Sequence, residues 1–179
     1  TRKAGKKTAA RLIEAAHALI QAEPLELFSM RNVAERAGVS LANLQYYFPR
    51  KEDLFKAMVN DIGHRYRAAY TKCLTKAPAD PLERFKIVLK YNMRDISKQA
   101  TRKLFLQLWA LFGSIDDFDG HYLQELYAID ISQLGDHIRA MRPEINESEL
   151  QRRATLIAAL IEGLLVVSGK LHGTARKRN

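Results

Sequence analysis

Apolar residues return every three to four positions along almost the whole chain, and no run alternates apolar with polar residues for long enough to supply a strand. Segments with that period bury one stripe of each helix against another helix, so the expected fold is all-α. Leu12, Ile13, Ala16, Leu19 and Ile20 share one face of a first helix that ends near Pro24. Ser29 is placed to cap a short second helix running through Val33, Ala34 and Ala37 to Gly38, a residue that stops a helix cheaply in the left-handed conformation. Ser40 caps a short third helix through Leu44 to about Tyr47, closed by Phe48-Pro49.

Beyond Pro49 the helices lengthen. One is expected from Lys51 to about Lys76; the next starts at Asp80 as cap, with Pro81 in the first helical position and Glu83 in the first turn. Its stripe is Leu82, Phe85, Leu89, Met93 and Ile96. The pattern resets around Gln99 to Arg102, and Leu104, Phe105, Leu108, Trp109, Phe112 and Ile115 form a broad apolar surface before a polar turn at Asp116, Asp117, Asp119 and Gly120. A helix from about Gly120 to Met141 ends before Pro143, and Asn146 with Glu149 can cap a last helix reaching about Leu171. The expected division is a small three-helix domain over residues 1–50 and a larger helical domain over 51–179.

The net charge of +9 points to a polyanionic partner, and it is unevenly spread. Residues 1–65 carry +4, residues 66–169 carry +1 and residues 170–179 carry +4, the last including Arg176-Lys177-Arg178. A single Cys73 makes no internal disulfide, and neither Cys nor His shows metal-ligand spacing, so a reducing cytoplasm is the expected compartment and no metal or cofactor is expected. The longest apolar stretch, Leu156 to Val167, is interrupted by Glu162 and falls short of the roughly 20 residues of a membrane span. His17, His64, His121, His137 and His172 form no ligand pair, and neither a nucleophile motif nor a phosphate loop is present, so no catalytic residue is assigned and an enzyme is not expected.

Ser29 to Leu54 carries the functional signal. Two short helices separated by Ala37-Gly38-Val39-Ser40 have the spacing of a helix-turn-helix: Gly38 makes the turn, Val33, Ala34, Val39 and Leu44 lock the helices, and the outer face of Leu41 to Tyr47 is left free for a major groove. With Val33-Ala34, Ala37-Gly38-Val39-Ser40, Leu44, the aromatics Tyr46, Tyr47 and Phe48, and Lys51-Glu52-Asp53-Leu54, this segment resembles the DNA-binding domain of the TetR family of transcriptional regulators. Gln45, Tyr47 and Arg50 depart from the residues common at those positions, the first two bearing on operator contacts and not on the fold.

The resemblance implies that Arg31, Leu41, Ala42 and Gln45 read bases, with Gln45 suited to adenine and Arg31 to guanine, and that Ser40 opens the reading helix. It implies phosphate contacts from Asn43, Tyr46, Tyr47 and Lys51, with Thr8 and Lys7 adding to them. Of the two adjacent tyrosines, which cannot share a helical face, Tyr46 is the better placed for phosphate. It further implies a homodimer on a palindromic operator, built on the last helix through Leu156, Leu160, Gly163, Leu164 and Val167, and a small apolar or aromatic effector held by Tyr91, Phe105, Trp109, Phe112 and Tyr127, with Arg94 and Arg102 as anionic anchors if they point inward. A ligand-responsive repressor is the expected function, and an effector-independent or architectural DNA-binding protein is the alternative.

Overall fold

Helix ends decide where the elements of this chain begin and stop. The computed structural model describes residues 2–113 and 121–167, and among these it contains eight α-helices and no strand. They are α1 (Arg2–Ala22), α2 (Met30–Arg36), α3 (Leu41–Tyr47), α4 (Lys51–Leu74), α5 (Pro81–Ile96), α6 (Gln99–Gly113), α7 (His121–Met141) and α8 (Glu147–Val167), with one 3-10 turn at Leu25–Leu27. The polar turn expected at Asp116 to Gly120 and the basic tail at Arg176-Lys177-Arg178 lie outside the described residues. No described helix is long and apolar enough to cross a membrane.

The chain forms two compact units. The first comprises Thr1–Ile62 with Lys103–Leu123, the second Gly63–Arg102 with Gln124–Asn179. In the first unit Leu12, Ala16, Leu19 and Ile20 of α1 are buried, as are Val33, Leu44, Leu54, Phe55 and Met58. The end of α1 is closed by side chains from α6: Lys103 Nζ donates to the Ala22 carbonyl (3.3 Å) and Gln107 Nε2 to the Glu23 carbonyl (3.2 Å). Carbonyls in the last turn of a helix have no intrahelical partner, so these donors complete the helix. His17, only 4% exposed, meets Asp61 of α4 at 3.1 Å and ties α1 to it.

In the second unit, Asp80 accepts from the Glu83 N–H (2.9 Å) with Pro81 at the first helical position, the start expected for α5. Gly63 in α4 is buried against α7; a Cβ there would lie 2.9 Å from Ile129 Cδ1 and 3.1 Å from its Cγ2, so a larger residue would require Ile129 to shift. Asn146 accepts from the Glu149 N–H (2.9 Å) and caps α8, but the reciprocal half of the capping box is absent. The Glu149 carboxylate turns instead to Arg152 and Arg153. Arg102, a possible anchor for an anionic ligand, donates from Nε to the Leu165 carbonyl (2.9 Å) and closes the C-terminal end of α8. Leu150, Ala154, Ala158, Ile161 and Leu165 form the buried face of α8.

The turn between α2 and α3 is the sharpest in the first unit. The Val39 N–H bonds back to the Ala34 carbonyl (3.0 Å) and the Gly38 N–H to the Glu35 carbonyl (2.9 Å), a Schellman closure with Gly38 at φ +66°. Nothing lies within 4 Å of the space a Cβ at Gly38 would take, so replacing it meets backbone strain and no clash. Gly38→Ala is therefore expected to lower the unfolding free energy by about 1 kcal/mol, and Gly38→Asn by less, as read from urea denaturation.

Candidate functional site

α3 is seven residues long and stands on two supports. Ser40 Oγ accepts from the Asn43 N–H (3.1 Å) at its start, and Leu44, fully buried, anchors its inner side with Phe48 just beyond its end. α2 is built alike, with Ser29 Oγ accepting from the Asn32 N–H (3.1 Å) and Val33 and Ala34 buried. This burial turns the opposite side of α3 outward: Ala42, Asn43, Gln45 and Tyr46 are exposed, Tyr46 to 79%. Leu41 is half-buried at the edge of that face, and Arg31 is exposed in the first turn of α2.

The two tyrosines take different roles. Tyr46 projects into solvent, whereas Tyr47 is half-buried beside α1, its hydroxyl 3.9 Å from where a Gly5 Cβ would sit. Their rings meet edge to face at 5.1 Å. Lys51 is not simply solvated: its ammonium lies 5.7 Å from the Phe28 ring centre and 5.3 Å from that of Phe55, rings that stack on each other at 5.4 Å. Arg50 takes over the capping of α4 in an unexpected way. Asp53 accepts from the Arg50 backbone N–H (3.0 Å) and from its guanidinium (3.2 and 3.3 Å), and these bonds hold the Asp53 carboxyl below its usual range. Lys6 and Lys7 are exposed near the start of α1 and Thr8 is half-buried there.

The residues expected to hold an effector fall in both units. Phe105, buried, and Trp109, half-buried, belong to the first; Tyr91 and Tyr127 belong to the second, and the side chain of Phe112 lies outside what the structure describes. Inside the second unit, Tyr91 packs edge-on against Tyr70 (5.7 Å) and Tyr66 (6.2 Å). The Tyr66 hydroxyl donates to Asp95 (2.7 Å), and the Tyr70 hydroxyl donates to the buried Asn92 (2.9 Å) and lies 3.4 Å from Asp130. Burial and the adjoining carboxylates push both phenols well above their usual range.

Two acids in this interior lack a basic partner among the described residues. Burial raises the Asp130 carboxyl above its usual value, against a hydrogen bond from Tyr70 that lowers it. Burial, opposed by a hydrogen bond from Tyr127 and reinforced by the Asp130 charge, pushes Glu162 up to about 7. Neither acid forms an ion pair among the described residues, and Glu162 Oε2 is enclosed without a hydrogen-bond partner. The sequence held a sign of this site, since Glu162 interrupts the apolar stretch of the last helix. His17–Asp61 and Arg50–Asp53 gave no such sign.

A carboxyl whose folded pKa lies above its unfolded value stabilises the fold fully below the unfolded value and loses that contribution as pH rises through the folded one. For Glu162 the window runs from about 4.5 to about 7. Glu162→Gln is expected to raise the thermal midpoint at pH 8, with the gain vanishing near pH 4.5, as followed by circular dichroism.

Comparisons with known proteins agree with this geometry. Residues 12–58 match the model of bacterial regulatory proteins of the tetR family. The HTH-type transcriptional regulator BetI of Burkholderia ambifaria is 26% identical over 156 residues, covering 87% of this chain and 78% of the relative. A putative transcriptional regulator from Pseudomonas aeruginosa superposes with TM-score 0.74 at 21% identity, over 95% of this chain and 83% of that one. A putative transcriptional regulator from Saccharomonospora viridis in complex with choline superposes with TM-score 0.66 at 20% identity, over 92% and 88%.

Proposed function

We propose, from the match of residues 12–58 to the tetR family and the likeness to BetI, that the chain is a TetR-family transcriptional regulator and not an enzyme, a dimeric, ligand-responsive repressor of a palindromic operator acting in the cytoplasm. The observation that carries the DNA-reading assignment is the outward face of α3, where Ala42, Asn43, Gln45 and Tyr46 stand clear while Leu44 fixes the helix from below. Gln45 on that face presents both an amide donor and an acceptor, the pair that matches adenine N6 and N7. Arg31 serves guanine, Leu41 and Ala42 make apolar groove contacts, and Asn43, Tyr46, Tyr47 and Lys51 set register on phosphates. In this reading residues 1–50 are the reading domain and 51–179 the effector-binding and dimerising domain.

The dimer reading rests on the outer face of α8. Leu156, Leu160, Leu164 and Val167 recur there at helical spacing, exposed to 59%, 65%, 40% and 59%, with Gly163 among them. A terminal helix buried on one face and aliphatic on the other needs a covering surface, and a second copy supplies one that is self-complementary. Two copies also set two reading helices about 34 Å apart, the distance between successive major grooves on one side of DNA.

For the effector, the support lies in the second unit. Tyr127 bonds Glu162, and Tyr91 packs on Tyr70, which lies 3.4 Å from Asp130; both acids are without a basic partner among the described residues, and a small organic cation is the ligand class that balances them. The choline held by the Saccharomonospora viridis regulator is a compound of that class. Occupation by such a cation shifts the population of reading-helix placements and lowers operator affinity.

Gln45→Ala is expected to relax base preference at one position of each half-site, by about 1 kcal/mol or more, in a binding-site selection. Equal losses on operator and scrambled DNA would remove Gln45 as a reader. Leu160→Glu is expected to give a monomer in light scattering and to abolish operator binding at concentrations where the parent chain binds. A dimer that persists in that variant overturns the α8 interface.

A further inference from the structure

We infer that a cleft formed by α4, α5 and α7 within the second unit is a binding site for a small organic carboxylate with an apolar body. The cleft has a volume of about 510 Å³, within the range of small-molecule sites. Arg67 comes from α4, Arg84 from α5, and Asp136 and His137 from α7, while Tyr70 and Leu74 contribute its aromatic and aliphatic surface. The cleft shares Tyr70 with the interior that holds Asp130, 3.4 Å from the Tyr70 hydroxyl, but its charged groups are other residues, and it is tested without DNA, so it stands or falls independently of the operator reading.

The charge arrangement selects the ligand. Neither guanidinium forms an ion pair among the described residues, although Asp136 lines the same cleft; the Arg84 guanidinium makes one long bond among them, 3.5 Å, to the Pro78 carbonyl. His137 is kept below its usual pKa, first by burial and, opposed by Asp136, also by the charge of Arg84, so the imidazole is neutral and the cleft carries one net positive charge. The threonine hydroxyls at its rim are committed: Thr71 donates to the Arg67 carbonyl and Thr75 to the Thr71 carbonyl, each at 3.0 Å. Gln133, also in the lining, donates from Nε2 to the Ile129 carbonyl (3.3 Å), so the two arginines are the charged donors for an incoming anion, with the neutral His137 N–H beside them. A planar carboxylate matches the guanidinium fork, and a monoanion balances the net charge. The ring of Tyr70, the side chain of Leu74 and the imidazole of His137, itself backed by Phe85 at 6.1 Å, favour an apolar body on that carboxylate over a bare inorganic ion.

The test uses the full chain with 4-fluorobenzoate as the probe, followed by fluorine NMR, with 4-fluorobenzamide as its neutral counterpart and inorganic phosphate as the bare anion. The expected result is saturable binding of one benzoate per chain, about tenfold or more weaker for the benzamide and for phosphate. Arg84→Gln and Arg67→Gln, on different helices, are each expected to weaken benzoate about tenfold, and Arg84→Lys to recover part of the loss. Lys90→Gln, an exposed position on α5 outside the cleft, is expected to change nothing. Thermal unfolding without ligand verifies that each variant is folded. Benzamide or phosphate binding as tightly as benzoate, unchanged affinity in both cleft arginine variants, or no saturation by about 10 mM benzoate overturns the site.

Discussion

Two helices of seven residues each are too short to persist alone, because nucleating a helix fixes several residues for each early hydrogen bond gained. α2 and α3 persist because four closures act together. Ser29 and Ser40 satisfy N–H groups at their starts, the Schellman bonds at Gly38 satisfy the end of α2, and Val33, Ala34 and Leu44 share one buried patch. Only a left-handed residue between them sends the chain back sharply enough for that patch to form. The exposed face of α3 is a consequence of the same constraint, since burying Leu44 turns Gln45 and Tyr46 outward.

The second unit obeys a different logic. A helical core usually excludes unpaired charge, yet here Asn92, Tyr70, Asp130 and Glu162 occupy the interior with hydroxyls and an amide as partners and no cation among the described residues. An interior assembled in this way costs stability unless its acids are protonated or balanced by something bound. Such sites are where ligand recognition is usually found. The chain passes between the two units within α4 at Ile62 to Gly63, within α6 at Arg102 to Lys103 and within α7 at Leu123 to Gln124. On α6, consecutive side chains serve different units: Arg102 closes α8 in the second, and Lys103 closes α1 in the first.

Much of the fold was legible because it is written in local signals. Periodicity placed the helices, and Ser29, Gly38, Ser40, Asp80-Pro81 and Asn146 marked ends that the structure closes with those same residues. α8 illustrates where local reading stops. Its apolar stretch from Leu156 to Val167 was visible, but only the structure separates Leu156, Leu160 and Leu164, which are exposed, from Ile161 and Leu165, which are buried. Helical spacing alone does not say where the boundary between a buried and an exposed face falls. Glu149 was equally ambiguous: the cap spacing is present, yet Arg152 and Arg153, three and four residues on, take its carboxylate.

The sequence by itself determined an all-α chain with a helix-turn-helix at its start, because caps, turn and periodicity act between residues a few positions apart. Tertiary structure alone decided that His17 meets Asp61 across 44 positions, that Lys51 lies over Phe28 and Phe55, that Arg102 caps a helix and so is not free as an anchor, and that Arg67, Arg84 and His137 line one cleft. Those pairings join residues far apart in the chain. No local spacing encodes them, because each depends on which helical faces pack together.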